Sequence, residues 1–422
     1  MAYVNVVSPG RVQSWIRKTI KQKINASTWD QLSNRYEYSQ TVPKSGMSKV
    51  PSEVVHKVTD ELKMGQYSVT MLAIRKTGAA VIGGANSAEG KESKPTTKIV
   101  SLYFTNQRVP KSLPDMSVSG DMSEFYGIAE ATIDMIGNDF VEQTDYDCQS
   151  AMIDGCDFFL QDASSWQSSE YGSAINAPQT KCLHPNTYWY AAATGLTKNT
   201  WDATYATANT NLATAVDTGI AVTDTFNTKV ADQAHLIATR TIIPMGGLGG
   251  KSEVNYVLKI SDAQWYDWTT DTTASVGWRE LMKYTETGMD RLFNGFVGVY
   301  KGMMVIVDQR SPLYNVTSST VGAWQYQTPL ADNRTRVTTA PNTGTRECAM
   351  LMGRGALGMA DVMEMDLVRK SRDYEFVKSI CGHRKRGTQR MDLDATVAPT
   401  SARVNESSMI ILTATSAVTV GS

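Results

Sequence analysis

The segment Met245 to Ser252 comes closer than any other to a nucleotide-binding motif. Its sequence, Met-Gly-Gly-Leu-Gly-Gly-Lys-Ser, ends in the Gly-Lys-Ser of a phosphate-binding loop. That motif requires another glycine five positions before Gly250, where this chain has Met245. The loop must also lead into a helix whose amino terminus binds the phosphate, whereas Val254 to Ile260 has the composition of a strand. The sequence therefore favours a flexible glycine loop over a nucleotide site.

Histidines and cysteines, the usual nucleophilic and metal-ligating residues, are few and scattered. None of the four histidines, at positions 56, 184, 235 and 383, lies in a Ser-His-Asp or Cys-His signature, and Gly-x-Ser-x-Gly is absent. Cys182 and His184 could supply two zinc ligands, but no second pair follows at finger spacing. Five scattered cysteines fit a reducing compartment. We expect no catalytic residues, no metal and no cofactor.

Acidic residues are frequent in a segment that has helical periodicity. A pair of carboxylates could catalyse hydrolysis if an apolar pocket raised the pKa of one of them. Sequence does not locate such a pocket, and a solvated helix face is the simpler expectation. A hydrolase that uses these acids or the Gly246 to Ser252 loop is the enzymatic alternative. The acidic residues are Asp134, Asp139, Glu142, Asp145, Asp147, Asp154 and Asp157.

Basic residues form two local clusters. The segment His383 to Gly387, with Arg384, Lys385 and Arg386, is predicted to be a basic turn near the C-terminus. Either cluster could contact phosphate or an acidic neighbouring subunit. The whole chain has 41 Lys plus Arg against 42 Asp plus Glu, so it lacks the basic excess of a protein that coats nucleic acid. The other cluster lies in the N-terminal arm and consists of Arg11, Arg17, Lys18, Lys21 and Lys23.

The composition predicts a soluble protein with a sizeable core. The chain has 422 residues, of which 41% are hydrophobic, and at roughly 150 residues per domain this length suggests about three domains or one elaborated domain. The first residues lack the pattern of a signal peptide. The apolar segment Met409 to Val420 is shorter than the ~20 residues that a membrane span needs.

Two extensions precede the main body of the chain. Residues 1–64 have too few apolar positions for a core of their own, so this arm must lie on another surface. Two β-rich runs, Tyr67 to Ile74 and Lys98 to Phe104, flank the small and charged segment Gly83 to Lys94. This arrangement predicts a long β-hairpin, which is marginally stable by itself. Both extensions therefore indicate a subunit that depends on neighbours.

The strongest periodic signal is a single long helix over Asp121 to Asp162. Apolar residues recur at intervals of three and four, from Phe125 to Phe140 and beyond. At ~1.5 Å per residue such a helix would span about 60 Å and serve as a spine. Gly137 and Gly155 are the positions where it could kink or split. Beyond it, helices near 202–216, 224–239 and 274–287 and strands near 254–260, 296–307 and 376–381 indicate an α+β region.

Three apolar and glycine-containing stretches of the α+β region are Val254-Asn-Tyr-Val-Leu-Lys-Ile-Ser-Asp262, Leu292-Phe-Asn-Gly-Phe-Val-Gly-Val-Tyr-Lys-Gly-Met-Met-Val-Ile306 and Ala349-Met-Leu-Met-Gly-Arg-Gly-Ala-Leu357. They resemble the major capsid proteins of tailed bacteriophages with the Hong Kong 97-like fold, most closely those of the short-tailed N4-like and crAss-like phages. The likeness lies in the general composition of these stretches rather than in a sharp motif. The order of arm, hairpin, long helix and α+β domain is also similar to that family over most of the chain.

The resemblance implies a division of the chain into the segments of that fold. The fold class would be α+β, with an N-terminal arm, an extended E-loop hairpin, a spine helix and an axial α+β domain. The implied boundaries are 1–64 for the arm, 65–105 for the E-loop, 106–165 for the P-domain with the spine helix, 166–345 for the A-domain, 346–398 for the return strands of the P-domain and 399–422 for the C-terminal tail.

The resemblance also implies a structural function. Such a protein self-assembles as hexamers and pentamers into an icosahedral head around double-stranded DNA, and is found in the virion after synthesis in the host bacterial cytoplasm. Implied partners are other copies of the chain, portal, scaffold or decoration proteins, and DNA at local basic patches, but no membrane. A ring adaptor or tail component is the other structural alternative. The hairpin tip would contact an adjacent subunit through Gly83, Gly84, Glu89, Lys91, Glu92 and Lys94.

Overall fold

The computed structural model of the chain describes the secondary-structure elements and the loops that join many of them. No helix within these residues is long and apolar enough to cross a membrane. The described residues are 29, 54–58, 68–74, 97–103, 105–112, 122–154, 183–200, 205–245, 255–271, 296–308, 310–318, 321–325, 345–372, 377–391, 393–394, 403–404 and 406–415.

The elements alternate between strands and helices along the chain. The first third contains β1 (Val55–Val58), β2 (Ser68–Ile74), β3 (Thr97–Tyr103), β4 (Thr105–Ser112) and α1 (Met122–Asp154). The middle contains β5 (Thr187–Ala191), β6 (Gly195–Lys198), α2 (Tyr205–Gly219), α3 (Thr228–Thr241), β7 (Tyr256–Ser261), α4 (Asp262–Thr270), β8 (Phe296–Tyr300), β9 (Met303–Asp308), β10 (Leu313–Ser318) and β11 (Val321–Gln325). The last part contains β12 (Thr345–Met352), β13 (Leu357–Arg372), β14 (Val377–Arg390), β15 (Leu393–Asp394), β16 (Arg403–Val404) and β17 (Ser408–Thr413).

A four-stranded sheet supports the long helix. Its strand order is β1-β13-β14-β4, with β13 and β14 forming a long antiparallel pair and β1 running parallel to β13. Strand β1 comes from the region predicted to be the N-terminal arm, and Val54 and Val55 are fully buried there. The arm region therefore contributes a strand to this sheet.

Helix α1 is continuous over 33 residues, which confirms the prediction of a long helix. At ~1.5 Å per residue it is about 50 Å long. Gly137 does not interrupt it, and Gly155 lies outside the described residues. The helix approaches β14 closely at Gly382, where an added Cβ would lie 2.5 Å from Phe140 Cε2 and 2.9 Å from Ile136 Cγ2. Only a residue without a side chain permits this contact unless the helix side chains move.

The second sheet is a nine-stranded mixed sheet. Its main order is β6-β5-β17-β12-β7-β9-β8, and β10 joins β12 and β11. The pairs β5 with β17 and β7 with β9 are parallel. Strand β17, close to the C-terminus, thus lies inside the sheet between β5 and β12. Chain segments far apart in sequence build this layer together.

The nine-stranded sheet is buried on both faces. On β7, Val257 belongs to one apolar cluster, whereas Tyr256, Leu258 and Ile260 belong to the other, as the period of two in a strand requires. The end of α1 and helix α2 cover the first face. Helices α3 and α4 cover the second. The result is a layered α+β body, as the sequence predicts.

Local sequence signals explain where the shorter helices begin. Asn227 caps α3 by accepting a hydrogen bond from the Val230 amide at 3.0 Å. Ser261 and Gln264 form a reciprocal capping box at the start of α4. A tight turn at Lys301 and Gly302, with φ of 47° and 77°, joins β8 to β9. These elements confirm the predicted helices near 202–216 and 224–239 and the predicted strands near 254–260 and 296–307. The helix predicted near 274–287 lies outside the described residues.

Of two further predictions from the sequence, the hairpin strands are confirmed and the basic turn is not. Strands β2 and β3 pair antiparallel from Ser68 with Tyr103 to Ile74 with Thr97, which confirms the predicted hairpin strands. The prediction of a basic turn at His383 to Gly387 is wrong. These residues lie within β14, which runs unbroken from Val377 to Arg390. Buried and more exposed side chains alternate along this segment, as they do in a strand, and the run of charged residues hid that pattern in the sequence.

Candidate functional site

The predicted contact residues lie outside the part of the chain that the structure describes. These are the hairpin-tip residues Gly83, Gly84, Glu89, Lys91, Glu92 and Lys94 and the arm cations Arg11, Arg17, Lys18, Lys21 and Lys23. The Gly246 to Ser252 loop is also outside it, but β7 begins at Tyr256, so a strand follows the loop as predicted. Their roles stay predictions.

His184 serves the fold rather than a zinc site. Its ring is buried, Nδ1 accepts a hydrogen bond from the Asn186 amide at 3.0 Å, and Nε2 lies 2.8 Å from Ser408 Oγ. Because Nδ1 is an acceptor, Nε2 carries the proton and donates to the hydroxyl. Among the described residues, no group of three His, Cys, Asp or Glu side chains could hold a metal ion.

Most of the acidic residues of α1 whose side chains the structure describes are paired rather than solvated, which corrects the expectation of a solvated helix face for that part of the helix. Asp147 is 2% exposed and accepts hydrogen bonds from Gln143 at 2.6 Å and from Gln107. Arg384 donates in turn to Gln107, and its Nη2 lies 3.9 Å from Asp147 Oδ2. Burial raises the pKa of Asp147, and Arg384 and the two amides oppose that rise. The carboxylate is held by a network that β4 and β14 supply.

Three arginines of β14 point toward α1. Arg384, Arg386 and Arg390 are separated by two and by four positions, so they share one face of the strand, and they are at most 3% exposed. Arg384 Nη1 and Arg386 Nη1 each donate to Thr144 Oγ1 at 2.8 Å. The sequence analysis assigned the first two to an exposed basic turn, and the structure buries them against a helix of the same chain. The spacing of two between them was the signal that a strand was present.

Arg390 caps the carboxyl end of α1. Its Nη1 donates to the carbonyl oxygens of Met152 at 2.7 Å and Ile153 at 2.9 Å. The last turn of α1 has no basic residue of its own. Helix carbonyls at this end have no partner within the helix and carry partial negative charge, so a buried cation stabilises them. Strand β14 therefore supplies the cap that the helix sequence lacks.

A second group of charged residues joins α1 to the nine-stranded sheet, and we name it the junction cluster. Lys259 of β7 is 2% exposed, and its Nζ lies 2.5 Å from Asp308 Oδ2 at the end of β9. Gln149 of α1 donates to the same oxygen at 2.9 Å. The cluster consists of Glu142, Asp145, Gln149, Lys259, Asp308 and Arg310.

Arg310 closes this cluster from the loop after β9. Its Nη2 donates to Glu142 Oε1 at 2.6 Å, and its Nη1 lies 3.7 Å from Asp145 Oδ2. Its backbone amide donates to Asp308 Oδ1 at 2.9 Å. One side chain thus contacts two acids of the helix while its backbone holds the acid of the sheet.

The two partly buried aspartates of the junction cluster differ in the direction of their pKa shifts. Burial, together with the negative charge of Asp308, raises the pKa of Asp145 to about 7. Burial also acts to raise the pKa of Asp308, but the Lys259 ammonium and the Arg310 amide hold it below its usual value. Asp308 is therefore ionised at neutral pH, whereas Asp145 titrates there. The carboxylates of the junction cluster pair with Lys259 and Arg310, and these pairs hold α1 against the nine-stranded sheet.

Comparisons with known proteins agree with this architecture. No protein-family model and no curated protein matches the sequence. Among solved structures, the capsid of Ralstonia phage GP4 matches with a TM-score of 0.54 at 15% identity, covering 90% of this chain and 96% of that one. The capsid of cyanophage Pam1 matches with a TM-score of 0.53 at 11% identity, covering 89% and 97%. The chain has the Hong Kong 97-like capsid fold.

The fold likeness extends to a third structure. The acid-stable capsid of Helicobacter pylori bacteriophage KHP30 matches with a TM-score of 0.50 at 12% identity, covering 91% of this chain and 97% of that one. In the Hong Kong 97-like fold of this chain, α1 is the long helix and β13 and β14 are the long strands beneath it. The likeness to N4-like and crAss-like phages stays a prediction.

We predict that Arg390→Met destabilises the folded chain by about 2 kcal/mol, because two helix carbonyls lose a charged donor. The free energy of unfolding in urea measures this. Arg108→Met is the matched control, since Arg108 is an exposed arginine on the edge strand β4 of the same sheet. Equal stability of the two variants would contradict the capping role of Arg390.

We predict that Asp145→Asn removes a pH dependence of stability. The carboxyl binds a proton more tightly in the folded chain, where its pKa is about 7, than at its usual value of 3.8. The stability that this proton confers is lost as pH rises toward 7, so the wild type should lose about 2 kcal/mol relative to the variant between pH 5 and pH 8. Urea unfolding at the two pH values measures the difference.

Asp232→Asn is the control for that measurement. Asp232 lies on α3, on the opposite side of the nine-stranded sheet, and pairs with Lys301 at 2.7 Å while 41% exposed. Its substitution should leave the pH dependence as in the wild type. A constant difference between Asp145→Asn and the wild type at both pH values would refute the assignment.

Proposed function

We propose that the chain is the major capsid protein of a tailed bacteriophage. In this role it self-assembles as hexamers and pentamers into an icosahedral head that encloses double-stranded DNA. The observation that carries the proposal is the extent of the fold likeness, since the match covers 90% of this chain and 96% of the Ralstonia phage GP4 capsid chain. Such coverage leaves little of either chain for a different architecture.

The contacts of the buried charges support a structural rather than an enzymatic role. Asp147 is enclosed by Arg384, Gln107 and Gln143, and Asp308 is paired with Lys259. A hydrolase needs a carboxylic acid that reaches substrate, whereas these acids hold a helix to two sheets. The hydrolase alternative is therefore less well supported. A ring adaptor or tail component remains the structural alternative, and copy number per particle separates it from a shell protein.

The proposed segment boundaries follow the Hong Kong 97-like fold. Residues 65–105 form the E-loop, 106–165 the P-domain with the spine helix, 166–345 the A-domain and 346–398 the return strands. The arm at 1–64 and the tail at 399–422 complete the chain, although β1 of the arm belongs to the four-stranded sheet and β17 of the tail lies between β5 and β12 in the nine-stranded sheet. Proposed partners are further copies of the chain, with portal, scaffold or decoration proteins and packaged DNA, and the proposed location is the virion after synthesis in the host cytoplasm.

The hairpin register supports a contact between subunits. Opposite residues of an antiparallel pair share a face, and Val69 pairs with Leu102 and Met71 with Val100. One face of the hairpin therefore carries these four apolar residues with the pair Ala73 and Lys98, and the other face carries the apolar pair Leu72 and Ile99. Within the described residues, neither strand pairs with a third strand. An apolar face on a two-stranded hairpin needs a neighbouring surface for stability, and an adjacent subunit provides it.

The tip and the arm are the other proposed contacts. The tip residues Gly83, Gly84, Glu89, Lys91, Glu92 and Lys94 would lie over the adjacent subunit, where small residues permit a hinge. The arm cations Arg11, Arg17, Lys18, Lys21 and Lys23 would contact acidic neighbours or packaged DNA. Arg384 and Arg386 are not included, because both are buried against α1.

We expect the purified chain to form closed shells or sheets of hexameric capsomers, because the hairpin strands β2 and β3 pair with no third strand among the described residues and a two-stranded hairpin needs a further surface. Negative-stain electron microscopy and light scattering of the same sample measure this. A monodisperse monomer or dimer across salt and protein concentration would contradict the proposal and favour an enzyme. A discrete ring would favour the adaptor.

We predict that Val100→Asp abolishes closed particles while the chain still folds, because a charge on the apolar face opposes docking on the neighbour. Particle yield by sedimentation and electron microscopy measures assembly, and circular dichroism checks folding. Ser101→Asp is the matched control on the opposite face, and it should assemble. Deletion of residues 84–92 should also prevent closure. Normal particles from Val100→Asp would reject the proposed docking face.

A further inference from the structure

Lys259 and Asp308 bring a primary amine and a carboxyl group together in the junction cluster. Nζ lies 2.5 Å from Asp308 Oδ2, and Lys259 is 2% exposed. Lys259 pairs with Ile306 and Ser261 with Asp308 in parallel strands, so the two side chains are diagonal neighbours on one face. Among the described residues, none accepts a hydrogen bond from Nζ with suitable angles. The nitrogen is therefore close to the carboxyl group without being aligned as a donor to it.

Hydrogen-bond donors face both oxygens of this carboxyl group. Asp308 Oδ1 accepts from the Arg310 backbone amide at 2.9 Å, and Oδ2 accepts from Gln149 Nε2 at 2.9 Å. The Arg310 side chain is itself held by Glu142 at 2.6 Å. Fixed donors of this kind stabilise the negative charge that develops when a nucleophile attacks a carboxyl carbon, as in an oxyanion hole. The site thus presents an electrophile beside the amine.

Asp145 is the group that can carry protons between them. It lies one helical turn before Gln149 on α1, and Arg310 Nη1 lies 3.7 Å from its Oδ2. Burial and the charge of Asp308 raise its pKa to about 7, and the charge of Lys259 opposes that rise. At neutral pH the carboxyl is therefore present in both protonation states, which suits a group that first accepts and then returns a proton.

The surroundings of the amine favour a neutral product. The centre of the Trp29 ring lies 4.7 Å from Lys259 Nζ, and both side chains are shielded from water. Burying an ion pair carries a desolvation cost, whereas an amide made from the same two side chains has no charge. The Asp308 side chain is 17% exposed, so water that is released there can leave. An exposed pair in bulk water would instead favour the separate ions.

We propose that Lys259 and Asp308 join in an intramolecular isopeptide bond that links β7 to β9. The Lys259 ammonium gives one proton to the Asp145 carboxylate, and the neutral amine attacks Asp308 Cγ. The oxyanion of the tetrahedral intermediate lies on Oδ1, facing the Arg310 amide. Asp145 returns its proton to Oδ2, the nitrogen gives a second proton to the same oxygen, and the bond from Cγ to Oδ2 breaks. One ammonium and one carboxylate thus become one amide and one water, without an oxidant or a cofactor.

The bond fits the other contacts of the junction cluster. It removes one positive and one negative charge, so the net charge around Asp145 stays the same. Arg310 continues to pair with Glu142 of α1. Because the bond joins neighbouring strands of one chain, it does not depend on the proposed shell function.

Mass spectrometry of the folded, full-length wild type after denaturation tests the bond. We expect a mass lower than that of the sequence by one water molecule. Trypsin does not cleave after a lysine whose amine is in an amide, so the digest should contain residues 252–279 joined to residues 302–310. Dehydration of a single aspartate would lower the mass equally without joining peptides, and that result would overturn the proposal. The full mass of the sequence would overturn it as well.

Three variants test the roles of the residues, with circular dichroism as the check on folding. Lys259→Arg keeps the charge but lacks the primary amine, so it should show the full mass. Asp145→Asn should fold and stay unlinked, whereas Asp145→Glu, which keeps a carboxyl group, should give the joined peptide.

Asp232→Asn is the matched control, because Asp232 pairs at 2.7 Å with the exposed Lys301 outside the junction cluster. It should keep the joined peptide at the wild-type level. A joined peptide at that level in folded Asp145→Asn, or none in folded Asp145→Glu, would refute the proton transfer through Asp145. A loss of one water that persists in Lys259→Arg would refute the bond itself.

Discussion

The position of α1 depends on cations that come from strands. The helix packs against two sheets at once and presents acids to both, and a buried carboxylate without a partner is strongly unfavourable. On one side of the helix, Arg384 of β14 lies near Asp147. On the other side, Lys259 and Arg310 pair with the acids of the junction cluster. Because each cation is fixed on its strand or loop, the ion pairs set both the rotation and the height of the helix. The two sheets are thereby held in one arrangement.

This constraint determines which charges are left for contacts between subunits. The arginines of β14 make their contacts within the chain, and one of them, Arg390, caps α1. Strand β17, from near the C-terminus, is enclosed between β5 and β12. Both are therefore poor candidates for mobile contacts. The hairpin strands β2 and β3, which pair with no third strand among the described residues, are the segments that remain for the proposed contacts between subunits.

Local periodicity predicted many of the helices and strands. The contacts between distant segments could not be predicted in this way. The 33-residue helix and the hairpin strands follow from spacings of three to four and of two, which are visible within one segment. The strand around Arg384 was mistaken for a turn because charges occupied both of its faces. The contact between Gln149 and Asp308 joins residues 159 positions apart, so no local pattern could reveal it. The resemblance succeeded because it used element order over the whole chain.

An ionic junction differs from an apolar one in what can change it. Buried ion pairs contribute little net stability compared with apolar residues of the same shape, since desolvation offsets the attraction. Their geometry is nevertheless specific, and a cluster that includes Asp145 alters its charge at a pH near neutrality. Apolar contacts at the same place would hold α1 equally well, but their strength would not change with pH. The junction cluster therefore gives a layered fold one contact between helix and sheet whose charge depends on pH.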